Sequence, residues 1–121
     1  STKVGCVIVN EYKQIISTGY NGFPREVEDS KRRMEDRGLK YQIMQHAETN
    51  AILQATTSLR GCTAYVTVKP CASCTGQLIQ AGVGSIITQS PTTGLAQRFS
   101  ESFELADQML EEANVLQFYL N

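Results

Sequence analysis

The sequence predicts an α/β fold in which a mixed β-sheet carries helices on its faces. Short β-branched runs alternate along the chain with amphipathic stretches of helical period. Turn-forming residues separate these segments, and no repeat or low-complexity tract interrupts them. The resulting order, ββαβαβαβ, joins a hairpin to strand–helix–strand units, so it predicts antiparallel and parallel neighbours in one sheet.

The first forty residues predict a hairpin followed by a long polar excursion. Residues 4–10 form an apolar, β-branched run, and the Asn-Glu-Tyr-Lys segment that begins at Asn10 breaks the strand. Residues 15–20 then return as the hairpin partner. Residues 25–40 are polar and charged, which predicts a long loop that is partly helical between residues 29 and 37.

Two strand–helix units and a last strand are predicted in the rest of the chain. A helix begins at His46, since Ala47, Ala51 and Ala55 share one face, and we expect it to end at Arg60-Gly61. The remaining predicted elements are a strand at 63–68, a helix at 71–80, a strand at 85–89, a loop at 90–97, a helix at 100–113 and a strand at 115–120.

Composition favours one domain, residues 1–121, that acts on a small substrate. The chain has 121 residues, 41% of them hydrophobic, enough for one core. Eleven basic against 12 acidic residues leave a net charge of −1, whereas a protein that grips nucleic-acid polymers usually has a basic surplus. No signal-like or membrane-spanning run appears, so we expect a cytoplasmic protein without a membrane partner. Because a strand begins already at Val4, we also expect a native N-terminal segment before Ser1.

The cysteines divide into two kinds. Cys6 lies inside an apolar strand and Cys62 just before another, so both are expected to be small buried residues. Cys71 and Cys74 form a C-x-x-C pair, which in a reducing cytosol indicates metal binding or redox chemistry.

The motif that indicates chemistry is His46-Ala47-Glu48 followed by Pro70 and the cysteine pair. One histidine and two cysteines supply three zinc ligands and leave a fourth position for water. Both ligand groups fall at predicted helix N-termini, where the helix dipole favours thiolate over thiol. A structural zinc would need a fourth protein ligand, and the chain has a single histidine, so the set favours a catalytic site.

Glu48 stands two residues after the histidine, where a carboxylate can carry protons. Zinc lowers the pKa of bound water from about 15.7 to about 7, and Glu48 would take the released proton. H-x-E with a later P-C-x-x-C is typical of zinc deaminases that act on nucleobases. Taken singly, the cysteine pair could be a thioredoxin-like redox site, His46 a satisfied polar residue and Glu48 a helix N-terminal charge. Their combination favours zinc.

The sequence resembles the cytidine deaminase superfamily and, within it, the deoxycytidylate (dCMP) deaminases, including the short phage-encoded kind. The resemblance runs from Val4 nearly to the end. Besides the zinc motif it rests on four segments: Val-Gly-Cys-Val-Ile-Val at 4–9, Thr-Gly-Tyr-Asn-Gly-Phe-Pro at 18–24, Tyr-Val-Thr at 65–67 and Leu-Ile-Gln-Ala-Gly-Val at 78–83.

This resemblance implies a three-layer α/β/α sandwich around a mixed five-stranded sheet. It implies hydrolytic deamination of dCMP to dUMP and ammonia by a zinc-bound hydroxide, which supplies thymidylate synthesis, in the host cytoplasm if the chain is phage-encoded. By the family pattern His46, Cys71 and Cys74 bind one Zn²⁺, and Glu48 shuttles protons.

The resemblance also implies substrate contacts. Asn21 lies where relatives contact the sugar, and the Ala47 backbone N–H where they contact the pyrimidine carbonyl. A monophosphate needs a cationic pocket, for which Arg98 is the first candidate and Lys69, next to the zinc-binding turn, a further one. Phe99 would pack against the base or sugar.

Many relatives are hexamers switched on by dCTP and off by dTTP. A homo-oligomer is therefore implied, with a nucleotide effector and its Mg²⁺ near Tyr20, Gly22 and Arg25. Two positions depart from the family pattern: Glu26 stands where we expect a glycine, and Phe99 where we expect a tryptophan after Arg98.

Two other functions stay open at this level. One is a different deaminase, acting on tRNA adenosine or on a free base such as guanine, although an RNA-binding enzyme should carry a basic surface. The other is a zinc-stabilised regulatory domain without turnover, against which the presence of Glu48 and the lack of a fourth ligand argue.

Overall fold

A computed structural model describes residues 2–120 and shows one five-stranded sheet with helices. The order of the strands in the sheet is β2-β1-β3-β4-β5. The strands are β1 Gly5–Val9, β2 Ile15–Tyr20, β3 Thr63–Val66, β4 Ser85–Gln89 and β5 Leu116–Leu120. The helices are α1 Lys31–Glu35, α2 Arg37–Ile43, α3 Ala47–Gln54, α4 Ala72–Gln80, α5 Thr93–Arg98 and α6 Ser100–Glu112.

The sheet is mixed, as predicted. Strand β1 pairs antiparallel with both β2 and β3, whereas β3, β4 and β5 run parallel. Helices α4 and α6 are the crossovers between successive parallel strands, and right-handed crossovers that advance in one direction place both helices on the same face. The α/β class and the five strands implied by the resemblance are confirmed.

The β1–β2 hairpin closes through a three-residue loop. The side-chain oxygen of Asn10 accepts hydrogen bonds from the backbone N–H groups of Tyr12 and Gln14, both at 2.9 Å. Lys13 takes a left-handed backbone, with φ 62°. A turn followed by a left-handed residue is a common three-residue hairpin connection, and it sets the register of β2 against β1.

The core lies between the helices and one face of the sheet. Gly19 on β2 makes the close packing of α3 possible, because a Cβ there would lie 2.3 Å from the Ala47 carbonyl oxygen. Ser17 adds a hydrogen bond of 2.6 Å from its hydroxyl to the Ala51 carbonyl. The buried core residues include Cys6, Ile8, Ala47, Ala51, Cys62, Ala64, Val66, Leu78, Ile86 and Leu110.

The opposite face of the sheet carries a row of apolar side chains. Val7, Tyr65, Ile87 and Phe118 are cross-strand neighbours on four adjacent strands. Phe118 is 50% exposed and Tyr65 39%. No helix of residues 2–120 forms a layer over this row, so the described part of the chain supplies one of the two helical layers of the expected sandwich.

Three predicted segments differ from the structure by more than two residues. Residues 93–98 form α5 instead of a loop, because the Thr92 hydroxyl caps the helix by accepting from the Leu95 N–H at 3.3 Å. The helix after His46 ends at Gln54 rather than Arg60, since Ala55 takes an extended backbone. The polar excursion contains two short helices, and the second runs on to Ile43.

None of the helices in residues 2–120 is both long enough and apolar enough to cross a membrane.

Candidate metal centre and active site

Two helix N-termini bring the three predicted metal ligands together. His46 is the N-cap of α3 and Cys71 the N-cap of α4, where Cys74 lies in the first turn. The Thr49 hydroxyl donates to Gln77 Oε1 at 2.6 Å and ties the two helices side by side. The predicted convergence of two helix starts is therefore present in the structure.

The spacing of the ligand atoms fits a tetrahedral zinc ion. His46 Nδ1 lies 3.1 Å from Cys74 Sγ and 4.0 Å from Cys71 Sγ, and all three ligand atoms lie within 4.8 Å of one another. Zn–S bonds of about 2.3 Å and Zn–N bonds of about 2.0 Å place such ligands about 3.5 to 3.8 Å apart. One imidazole and two thiols are the donors that zinc prefers, so the residues present can hold the ion.

The two thiols differ in proton affinity. A hydrogen bond from the Cys74 thiol lowers the pKa of Cys71 to about 5, assisted by the Cys74 backbone N–H and by His46. The same hydrogen bond, together with burial, raises the pKa of Cys74. The lowered pKa favours the thiolate form of Cys71, and the thiolate is the form that binds metal.

Glu48 lies at the base of the cluster and is only 4% exposed. Burial raises the pKa of its carboxyl, while a hydrogen bond from its own backbone N–H acts in the opposite direction. A buried carboxyl with a raised pKa is suited to take up a proton and give it back. The adjacent Cys6 thiol is buried, and burial with the Glu48 charge raises its pKa to about 12, so it stays neutral.

A cavity of about 380 Å³ opens over the cluster. This volume lies within the range of small-molecule sites. Of the expected site residues, Tyr20, Gly22, Arg25 and the buried Cys74 do not line it. The lining residues are Thr2, Val4, Asn21, Tyr41, Met44, His46, Ala47, Glu48, Val68, Lys69, Cys71, Leu95, Arg98, Phe99, Ser102 and Phe103.

Arg98 and Phe99 form one rim of the cavity, at the junction of α5 and α6. The Arg98 guanidinium lies 5.8 Å from the centre of the Phe99 ring, and its side chain is exposed. The Phe99 ring in turn packs against Phe103, with ring centres 6.0 Å apart. The unpredicted helix α5 therefore carries Arg98 as its last residue, and Phe99 follows directly as its C-cap.

Asn21 lines the cavity but is engaged with the start of β1. Its Oδ1 accepts from the Val4 N–H at 2.8 Å, and its Nδ2 donates to the Thr2 carbonyl at 2.9 Å.

Lys69 has different partners from those we expected. Its ammonium is buried and donates to Asp107 at 2.6 Å, to Tyr119 at 2.7 Å and to Gln117 at 3.0 Å. An ammonium has three N–H donors, and all three are used. Its charge is directed at α6 and β5 instead of at the open part of the cavity.

The three residues expected to bind an effector, Tyr20, Gly22 and Arg25, do not line the cavity, although Asn21 between them does. Tyr20 is 74% exposed, Arg25 is exposed, and Gly22 pairs with Gln45 through two backbone hydrogen bonds. Glu26 has a φ of 66° in a turn closed by the Val27 N–H and the Pro24 carbonyl. This left-handed backbone explains why a glycine would suit the position where Glu26 stands.

Eight of the lining residues were missed by the sequence reasoning, among them Phe103, Tyr41 and Met44. Phe103 was assigned only to the apolar face of a helix, while Tyr41 and Met44 come from the end of α2. The helical spacing of Phe99 and Phe103 was a usable signal, because residues four apart share a helix face.

The chain is similar to known deaminases. Residues 1–90 match the family described as the cytidine and deoxycytidylate deaminase zinc-binding region. An uncharacterized deaminase of Aliivibrio fischeri is 37% identical over 95% of this chain and 77% of the relative. The human deoxycytidylate deaminase is 38% identical over 74% of this chain.

The fold is also similar to that of a solved dCMP deaminase. The enzyme of the cyanophage S-TIM5, in complex with dCMP and dUMP, superimposes with a TM-score of 0.75 and 24% identity over 97% of this chain and 80% of the other. The present chain covers little more than half of the human relative, 54% of its length.

Proposed function

Because the chain belongs to the cytidine and deoxycytidylate deaminase zinc-binding family, we propose that it hydrolyses dCMP to dUMP and ammonia. One observation carries the proposal. His46, Cys71 and Cys74 converge beside the buried carboxyl of Glu48 at the base of a cavity of nucleotide-compatible size. A metal ligand set without a fourth protein donor, next to a proton carrier, is an arrangement for activating water.

Zinc binding would use the three ligands described above. Bound zinc polarises water, which then reacts as a nucleophile near neutral pH. His46 contributes Nδ1, and the two cysteines contribute their sulfurs from the first turn of α4. The positive end of the α4 dipole favours the negative charge of both thiolates.

Glu48 would carry the protons. In hydrolytic deamination a water oxygen adds to the ring carbon that bears the amino group, and one water proton must reach the adjacent ring nitrogen. A second proton must reach the amino group before the C–N bond breaks and ammonia leaves. Glu48 can make both transfers because its pKa is raised by burial and it lies beside the ligand His46.

Substrate recognition would involve three parts of the cavity. The Ala47 backbone N–H is in the first turn of α3, where N–H groups lack helical partners, so it can donate to the pyrimidine carbonyl. Asn21, which also lines the cavity, would contact the sugar. Arg98 would bind the phosphate at the rim, with Phe99 against the base or sugar.

Regulation would use a separate surface. We expect a homo-oligomer in which dCTP or dTTP, with Mg²⁺, binds near Tyr20, Gly22 and Arg25. The exposure of Tyr20 and the absence of all three residues from the cavity lining support this site. The carboxylate of Glu26 lies in the same turn as Arg25 and opposes an anionic ligand.

The test is the deamination of dCMP by zinc-loaded protein, followed by ultraviolet absorbance. Cytidine, dCTP and adenosine-containing tRNA are measured in parallel. We expect turnover of dCMP and slower turnover of cytidine, which lacks the phosphate for Arg98. Turnover of the tRNA instead would overturn the proposal that dCMP is the substrate but would support zinc-dependent deamination. No turnover with zinc bound would favour a regulatory domain.

A further inference from the structure

We propose that Lys69 is a positioning residue that holds the Cys71 turn in its metal-binding geometry by anchoring it to α6 and β5. The proposal rests on the proposed zinc site and does not depend on which nucleotide is the substrate. It starts from the observation that all three N–H donors of the Lys69 ammonium are hydrogen-bonded, two residues before the metal ligand Cys71.

The Lys69 ammonium is the centre of a closed network. It donates to Asp107 on α6 and to Gln117 and Tyr119 on β5, at 2.6 to 3.0 Å. Gln117 Nε2 also donates to Asp107 Oδ1, at 3.1 Å. The aromatic rings of Phe103 and Tyr119 have their centres 5.5 Å and 5.2 Å from the ammonium. The Phe103 ring can stabilise the buried cation beyond its ion pair, whereas the ammonium meets Tyr119 at its hydroxyl group.

Burial makes this network costly to disturb. The Lys69 side chain is only 2% exposed, whereas the Asp107 side chain is 53% exposed. A buried ammonium that lost a partner would be left without compensation for its lost hydration. The side chain therefore has one favourable position, and this position fixes residue 69 relative to α6 and β5.

The backbone between Lys69 and Cys71 is stiff, so the fixed position of Lys69 also restricts the position of Cys71. Residue 70 is a proline, whose ring fixes its own φ and restricts the residue before it to extended backbone. Few free torsions therefore remain between the Lys69 anchor and Cys71. On the other side of Cys71 the Ala72 N–H donates to Ser102 Oγ at 2.8 Å. Helix α6 thus holds the turn on both sides of the ligand.

The consequence is a link from the C-terminal strand to the metal centre. Tyr119 is fifty positions away from Lys69 in sequence, and its strand β5 pairs with β4. If the network were loosened, the Cys71 turn could move and the distances between Cys71 and the other two metal ligands would vary more. Supporting residues of this kind typically affect metal affinity by about 10- to 100-fold.

The first experiment measures zinc affinity of the whole chain by competition with a chromogenic chelator, without any nucleotide. Lys69→Met removes the ammonium and keeps the length of the side chain. We expect its zinc dissociation constant to rise about 10- to 100-fold. The matched control is Leu59→Ala, a core truncation between α3 and β3, which lowers the unfolding temperature but should leave zinc affinity unchanged. Equal zinc affinity losses in the two variants would overturn the proposal.

A milder pair keeps the proposal testable if Lys69→Met fails to fold. Tyr119→Phe removes one hydrogen-bond acceptor of the ammonium, and Tyr12→Phe removes a hydroxyl group from the exposed hairpin turn. We expect Tyr119→Phe to bind zinc more weakly than the unmodified chain and Tyr12→Phe to bind it equally well. Identical affinities would overturn the positioning role. Absence of zinc binding by the unmodified chain would instead overturn the proposed function.

Discussion

The cavity has two walls that are built in different ways. We call residues 46–48 and 67–74 the ligand wall and residues 23–44, which follow the Gly22–Gln45 bridge, the loop wall. The ligand wall is tied to the sheet and to α6 by Lys69 and Ala72, and it contains buried Glu48. The loop wall contains two short helices without a single buried residue and joins the rest of the molecule at the Gly22–Gln45 bridge.

The ligand wall is built to hold reactive groups in fixed positions, whereas the loop wall is free to change its shape or sequence. Metal ligands must keep their distances within a few tenths of an ångström, which requires burial and several anchors. A wall with little buried surface has low local stability and can change shape or sequence at small cost. We therefore expect changes in the ligand wall to remove zinc or catalysis and changes in the loop wall to alter neither.

The largest effect is expected for Cys74→Ala in the ligand wall. This variant removes the most buried of the three ligands, so the chain should no longer retain zinc and its unfolding temperature should fall. Metal analysis after gel filtration and thermal unfolding measure both. Cys62→Ala, a buried thiol away from the cluster, should keep one zinc per chain. Retention of zinc by Cys74→Ala would contradict the assigned ligand set.

Next in size is Glu48→Gln, which keeps the shape of the ligand wall but cannot carry a proton. We expect the deamination rate to fall by at least about 10²-fold while zinc remains bound. Rates and metal content are measured on the same preparation. Glu104→Gln, on the exposed side of α6, is the matched control and should be as active as the unmodified chain. An unchanged rate in Glu48→Gln would remove Glu48 from the mechanism.

Arg98→Ala tests the rim between the walls. Loss of a charge-assisted hydrogen bond to phosphate costs about 1.5 to 3 kcal/mol, or roughly 10- to 100-fold in kcat/KM for dCMP. Cytidine, which has no phosphate, should be turned over at the same rate as before. Arg37→Ala, an exposed position on the loop wall, is the control for lost positive charge. A parallel loss on cytidine would mean that Arg98 supports the fold of the rim.

The smallest effect is expected in the loop wall itself, from Glu26→Gly. A left-handed backbone costs a residue with a Cβ about 1 kcal/mol, so glycine should raise the free energy of unfolding by up to that amount. Urea unfolding measures it, and zinc content should not change. Glu28→Gly, where the structure records no positive φ, should be neutral or destabilising. Destabilisation by Glu26→Gly would contradict the strain assigned to this turn.

Local patterns were sufficient to predict the sheet and the metal ligands. Strand alternation and turn residues indicated all five strands, and the H-A-E and P-C-x-x-C motifs indicated the cluster that the structure brings together. The family expected from these motifs is also confirmed. Such features depend on residues close together in sequence, where spacing determines which side chains share a helix end.

Features that depend on distant residues were not predictable, and one helix cap was overlooked. Residues 90–97 contain Pro, Thr and Gly and were predicted as a loop, although Thr92 three positions before Leu95 was a usable capping signal. Nothing near Lys69 in sequence indicates Asp107, Gln117 or Tyr119 as its partners. Tertiary contacts across 38 to 50 positions decide the direction of that side chain.

The close contact at Gly19 has a consequence for how tolerance to mutation is distributed over the chain. Helix α3 rests directly on this glycine, and any side chain there would press on the Ala47 carbonyl and the Ala51 N–H. His46 and Glu48 stand at the start of the same helix, so a displacement would move a ligand and the proton carrier together. In a scan of all single substitutions, Gly19 should therefore be as intolerant as Glu48, although it contributes no reactive group.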